Sequence, residues 1–164
     1  MTKKTLRDNV VALQKQKICK ANVVSLQDIR NLRILKSKCR LLVVEDDDVM
    51  RQALHRILTG AGYQVDCVSD GLELASALDQ VKPDAIILDI GLPWVDGIEL
   101  CTLIRASKKQ LSHVPIVFLS ASADEVEIAA SFEAGGSDFV AKPFDINFLI
   151  QTIEKNLAIP PQKG

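Results

Sequence analysis

Residues 40–48 read RLLVVEDDD. Leu41, Leu42, Val43 and Val44 form a short continuous apolar run, the pattern of a strand covered on both faces. Glu45, Asp46, Asp47 and Asp48 follow without a break. Burial disfavours an ionised carboxylate, and neighbouring carboxylates repel one another. Acids at the end of a buried strand therefore call for a compensating cation. Asp48 and Asp47 also fit a helix start, where the dipole favours negative charge.

Three more runs share this continuous character: AIIL at 85–88, IVFL at 116–119 and FVA at 139–141. YQVDCVS at 63–69 instead alternates, with Val65 and Cys67 offset from Gln64 and Asp66, as expected of an edge strand with one wetter face. Helical stripes lie between the runs. One joins Met50, Leu54, Ile57, Leu58 and Ala61, and the most regular joins Ile146, Leu149, Ile150, Ile153 and Leu157. Leu72, Leu74, Ala75 and Leu78 mark another helix, and Ile98, Cys101, Leu103 and Ile104 a further one. Asp70 with Glu73, Asp96 with Glu99, and Asp124 with Glu127 resemble capping boxes. Gly60 and Gly62, then Gly135 and Gly136, mark helix ends. The order predicts five β–α units and a doubly wound α/β fold.

The chain has 164 residues, 48% of them hydrophobic, enough for a packed core. Its net charge of −1 conceals two unlike parts. Residues 1–40 carry eleven Lys/Arg against Asp8 and Asp28, a balance of +9, while residues 41–164 balance at −10. Cys19, Cys39, Cys67 and Cys101 form no C-x-x-C pair and read as reduced thiols of a cytoplasmic protein rather than a metal site. No secretory h-region and no bilayer-length apolar run is present, so no membrane insertion is expected.

Doubly wound sheets bind ligands at the carboxyl ends of their strands. Those ends carry Glu45 and Asp46, Asp89, Ser120 and Lys142. Clustered carboxylates are hard ligands that suit Mg²⁺. A lysine can neutralise phosphate oxygens, a hydroxyl can donate to one, and a central carboxylate can act as nucleophile toward a phosphoryl group. Taken singly, Asp89 also reads as a loop acid before Pro93, Ser120 as a turn cap and Lys142 as a surface lysine. Together, at four strand ends, they read as one site. Trp94 reads as a loop side chain or a partner contact, and His55 and His113 as surface residues.

The pieces LLVVEDD, DAIILDIGLPWVDGIEL, VPIVFLSASA and GGSDFVAKPF make the region from about residue 40 to 157 resemble the receiver domain of two-component response regulators, the CheY-like fold. The resemblance implies strand order 2-1-3-4-5 and a phosphoryl group accepted on Asp89. It places Mg²⁺, or Mn²⁺, on Glu45, Asp46, Asp89 and the carbonyl of Gly91, with Glu45 acting partly through water. Lys142 would contact phosphate and Ser120 would follow the phosphoryl group. Phe139 falls at the switch aromatic, where many members have Tyr, so a hydroxyl-mediated contact is lacking. Asp47 and Gly91 fall at variable rim positions. The Lys142–Pro143 bond would be cis. The donor would be a histidine kinase or histidine phosphotransfer protein. The readout face would comprise the receiver's fourth helix, fifth strand and fifth helix. Such a protein is a stoichiometric switch with slow self-dephosphorylation at most, not a turnover enzyme.

Two other readings compete. DDD contains D-x-D, as in an aspartyl phosphatase of the haloacid dehalogenase class, but that class needs a further acidic pair after the lysine and only Asp145 and Glu154 follow. The basic N-terminus could bind nucleic acid, yet it contains no Phe, Tyr or Trp for base stacking. The expected organisation is a basic, helical extension at 1–39, a receiver at 40–158 and a tail at 159–164. Residues 5–19 would form one helix of the extension. A second would start at Ser25 with Asp28 and present Leu26, Ile29, Leu32 and Leu35. Its apolar face would pack on the receiver, a second copy (as a homodimer) or a partner. Only AIPPQKG follows the last helix, so no C-terminal output domain is expected.

Overall fold

The computed structural model describes residues 26–107 and 109–158. In chain order the elements are α1 (Leu26–Lys36), β1 (Arg40–Val44), α2 (Asp48–Gly60), β2 (Gln64–Val68), α3 (Gly71–Gln80) and β3 (Ala85–Asp89). Then come α4 (Gly97–Ser107), a 3₁₀ turn (Lys109–Leu111), β4 (Ile116–Ser120), α5 (Glu125–Glu133), β5 (Asp138–Ala141) and α6 (Ile146–Ala158). The five strands are parallel and ordered β2-β1-β3-β4-β5, as the resemblance implies. The expected helix at 5–19, Ser25 and Cys19 lie outside the described residues, as does the tail at 159–164.

Side chains alternate across the strands and divide the core in two. Leu41, Val43, Ala85, Ile87, Val117 and Leu119 pack with Leu54 and Leu58 of α2 and with Leu149, Ile153 and Leu157 of α6. Leu42, Val44, Ile86, Leu88, Ile116 and Phe118 pack with Leu74 of α3 and with Leu100, Cys101 and Ile104 of α4. Central β1, β3 and β4 are buried along their apolar runs, because helices cover both faces. β2 is an edge strand with mixed burial, as its alternation predicts. β5 is the other edge, and only Val140 in it is buried. Its three-residue apolar run resembled a central strand because strand order is not encoded in the run itself.

Four stripe residues differ from expectation. Ile57, Leu72, Ala75 and Leu103 are exposed although each belongs to a helix that buries other residues of its stripe. The apolar arc of these helices is wider than the strip that the sheet covers.

The start of α1 also differs. Leu35 is buried, but Leu26 is 86% exposed and does not join the packed face. α1 lies against the turn between α2 and β2: the Lys36 ammonium sits 5.3 Å from the Tyr63 ring centroid, and Gln64 Nε2 donates to the Ser37 carbonyl at 2.9 Å. Lys36 also pairs with Glu154 of α6 at 2.6 Å. This helix of the extension therefore packs on the base of the sheet, opposite the strand ends that carry Glu45, Asp89, Ser120 and Lys142.

Candidate phosphoryl-transfer site

The register brings the carboxyl ends of the strands level. Val44 pairs with Leu88, Asp89 with Leu119, and Ser120 with Ala141. The residues that terminate or follow these strands consequently share one rim, beside the β1–β3 junction where strand order reverses.

Glu45, Asp46 and Asp89 each present a carboxylate oxygen within 4.8 Å of the others. Glu45 and Asp89 are buried, whereas Asp46 is exposed. The Lys142 ammonium bridges the two buried acids, 2.8 Å from Glu45 and 3.1 Å from Asp89. Burial pushes the Glu45 carboxyl above its ordinary range; the bond from Lys142 opposes that, and the Asp89 charge reinforces it. Burial alone would lower the Lys142 pKa, but its bonds to the two acids outweigh burial and hold the ammonium protonated. Two carboxylates thus share one cation, and the third faces solvent. The arrangement has hard oxygen donors and spare negative charge, which fits a divalent cation such as Mg²⁺. The Lys142–Pro143 bond is cis.

Local structure explains each placement. Asp47 is the N-cap of α2, accepting from the Met50 N–H at 2.7 Å, while Asp48 pairs with Arg51. Arg51 also donates to the carbonyls of Glu45 at 2.9 Å and Asp46 at 3.1 Å, fixing the backbone that carries the acids. Arg51 was not legible as a site residue; it looks like any exposed helical arginine. Gly97 is required beside Asp89, because a Cβ there would lie 2.2 Å from the Asp89 carbonyl oxygen. Gly91 lines the cleft in front of Asp89. A Cβ on Gly91 would meet only the Asp89 carboxylate, at 3.9 Å.

Ser120 is 3% exposed, and its hydroxyl donates to Glu127 Oε2 at 2.9 Å while accepting from the Ser122 N–H at 3.0 Å. Glu127 was read in the sequence only as half of a capping box. Asp124 does cap α5, accepting from the Glu127 N–H, but the Glu127 side chain turns to Ser120 instead of completing the box. Phe139 is half-buried and packs against the core cluster that contains Phe118. Trp94 is 99% exposed on the cleft lip and has φ +74, an outlier for so bulky a residue.

This rim and fold define a class. The family description "Response regulator receiver domain" matches residues 41–154, and the chain belongs to that family of two-component signalling proteins, with its CheY-like fold. Among curated relatives, it is 36% identical over 118 residues to the DNA-binding response regulator MtrA of Mycolicibacterium smegmatis, covering 72% of this chain and 50% of MtrA. The chain thus spans about half the length of the curated relatives it matches. A putative response regulator from Chloroflexus aurantiacus is 37% identical with a TM-score of 0.69, covering 74% of this chain and 98% of that one. The receiver domain of the sensor histidine kinase PA1611 from Pseudomonas aeruginosa, solved with magnesium in its active-site cleft, is 30% identical with a TM-score of 0.67. That match covers 74% of this chain and 98% of the other. Among the described residues, no helix is long and apolar enough to cross a membrane.

Proposed function

We propose that residues 40–158 work as a cytoplasmic receiver that accepts a phosphoryl group on Asp89 from a histidine kinase or histidine phosphotransfer protein. Residues 1–39 then act as an extension. The observation that carries the reading is the Lys142 ammonium bridging Glu45 and Asp89 on a rim that also holds Asp46 and Ser120. Glu45, Asp46, Asp89 and the Gly91 carbonyl would hold Mg²⁺ or Mn²⁺, which would supply charge to offset repulsion between these acids and the phosphoryl oxygens.

A carboxylate oxygen of Asp89 forms the new P–O bond as the P–N bond to the donor histidine breaks. The electron pair of the broken bond stays on the imidazole nitrogen. Lys142 then exchanges part of its carboxylate contact for a phosphoryl oxygen, and Ser120 donates its hydroxyl to another. Phe139 repacks as Ser120 moves, without a hydroxyl of its own to bond. The change reaches a downstream protein through the face formed by α5, β5 and α6, elements on which Val126, Phe132 and Phe148 are exposed. The chemistry is stoichiometric, with slow self-dephosphorylation.

Phosphatase turnover gains no support from the geometry. Asp145 accepts from the N–H groups of Asn147 and Phe148 at the start of α6, and Glu154 pairs with Lys36 at the base. The test is incubation with Mg²⁺ and a small acyl phosphate, read by intact mass. One acid-stable, base-labile phosphoryl group is expected on the wild type and none on Asp89→Asn. Equal labelling of Asp89→Asn would overturn the assignment.

A further inference from the structure

We propose that Glu127 is the resting-state acceptor of the Ser120 proton and competes with an incoming phosphoryl oxygen for it. The inference rests on the reading of Asp89 as the phosphoryl acceptor. It adds a positioning residue that acts on the site through Ser120.

The argument starts from one hydroxyl. Serine has a single O–H to donate. Here that donor is committed to Glu127 Oε2 at 2.9 Å, and the Ser120 oxygen also accepts from the Ser122 N–H at 3.0 Å. Ser120 is buried, and the Glu127 carboxylate is the acceptor that satisfies its hydroxyl. A phosphoryl oxygen on Asp89 can gain the hydroxyl only if Glu127 gives it up.

Glu127 is committed to this bond at the expense of another. A glutamate three residues after an N-cap Asp is placed to reach back to the cap N–H. The Asp124 N–H instead bonds the Ser122 hydroxyl at 3.3 Å, leaving the Glu127 carboxylate for Ser120. Among the described residues no cation lies within ion-pair distance of Glu127. The first turn of α5 and the Ser120 hydroxyl stabilise its charge.

The location makes the competition relevant to switching. Glu127 lines the same open cleft of about 620 Å³ as Asp89, Ser120 and Lys142. A phosphoryl group entering that cleft adds negative charge close to a carboxylate, which repels it. Repulsion and loss of the hydroxyl act in the same direction, freeing Glu127. Because Glu127 belongs to the first turn of α5, its release alters the end of a helix on the readout face. Glu127 thus links occupancy of the cleft to α5 and sets the cost of leaving the resting state.

The test uses the full chain with Mg²⁺ and a small acyl phosphate, and measures the donor concentration that half-labels Asp89. Glu127→Ala removes the competitor and should lower that concentration about tenfold or more, the scale of one hydrogen bond to a charged group. Glu127→Gln keeps the shape with a neutral acceptor and should shift it in the same direction by less, which provides a second variant should Glu127→Ala fold poorly. Glu125→Ala removes a charge from the same helix turn and should leave the curve in place. In a Ser120→Ala background the Glu127 substitutions should lose most of their effect, because the shared hydroxyl is gone and only the charge repulsion remains. Normal wild-type labelling with an unmoved Glu127 curve overturns this inference alone. A Glu127 effect that persists undiminished with Ser120→Ala does the same. Absence of label from the wild type overturns the reading of Asp89 and this inference with it.

Discussion

Asp138 shows how single side chains are tuned outside the rim. Burial pushes its carboxyl up, but bonds from Lys155 at 2.9 Å and Asn156 at 3.1 Å, with the Phe139 N–H, hold it below the ordinary range. The unfolded chain binds that proton near pH 4, whereas the folded chain resists it. Stability from Asp138 is therefore present above about pH 4 and is lost as pH falls through the lower folded value. Asp138→Asn should flatten the acid limb of the melting temperature against pH, read by circular dichroism. Trp94 is a second case. A bulky residue in the left-handed region costs roughly 1–2 kcal/mol, and its exposed ring recovers little by packing. Trp94→Gly should stabilise the fold by up to about 1 kcal/mol in urea denaturation. At this scale the sequence showed Glu45, Asp46, Asp89, Ser120 and Lys142, because each follows a recognisable strand. It did not show Glu127, because the Asp124 pairing offered a sufficient local explanation for that glutamate.

The helices were legible as elements, but their contacts were only partly so. Caps at Asp70 and Asp124 form as their spacing predicts, since those bonds are local. Glu73, however, accepts from the Ser69 N–H at 2.8 Å, one residue before the cap. Leu54, Leu58, Leu149 and Ile153 are buried, whereas Ile57, Leu72 and Leu103 are not, because helical period marks a face but not the width that a sheet covers. Gly136 was read only as marking a helix end, yet it is a packing requirement, and so is Gly97, which the sequence did not single out. Gly136 allows Phe118 to approach: a Cβ there would sit 2.6 Å from the ring. Gly97 lets α4 start against the end of β3. Gly97→Ala must displace the Asp89 backbone. It should destabilise the protein by about 3 kcal/mol or more and slow labelling of Asp89, measured by denaturation and intact mass. Normal labelling kinetics in a folded Gly97→Ala protein would show that the junction does not position Asp89.

At the scale of the whole molecule, α1 joins the base of the sheet to α6 through Lys36 and Glu154 and lies over Tyr63. Tyr63 is 4% exposed, and its hydroxyl has no hydrogen-bond partner among the described residues. Burial, with the nearby Glu154 charge, pushes its pKa far above the ordinary value. The unfolded phenol ionises near pH 10, so this group's contribution is intact below about pH 10 and declines as pH rises. Tyr63→Phe removes an orphaned hydroxyl and should leave stability equal or higher at neutral pH. It should also reduce the alkaline loss, measured by urea denaturation on either side of about pH 10. The order of elements, the parallel sheet and the identity of the rim residues were all readable from the chain, because hydrophobic period, caps and strand-end chemistry are local. Tertiary structure decided that the continuous run of β5 became an edge, that Lys142 spans both buried acids, that α1 seats on the base and that Glu127 accepts the hydrogen bond of the Ser120 hydroxyl. Each of these depends on groups brought together across the fold, and Lys142 meets Glu45 across 97 residues of chain. No local pattern encodes such a meeting until the sheet register places it.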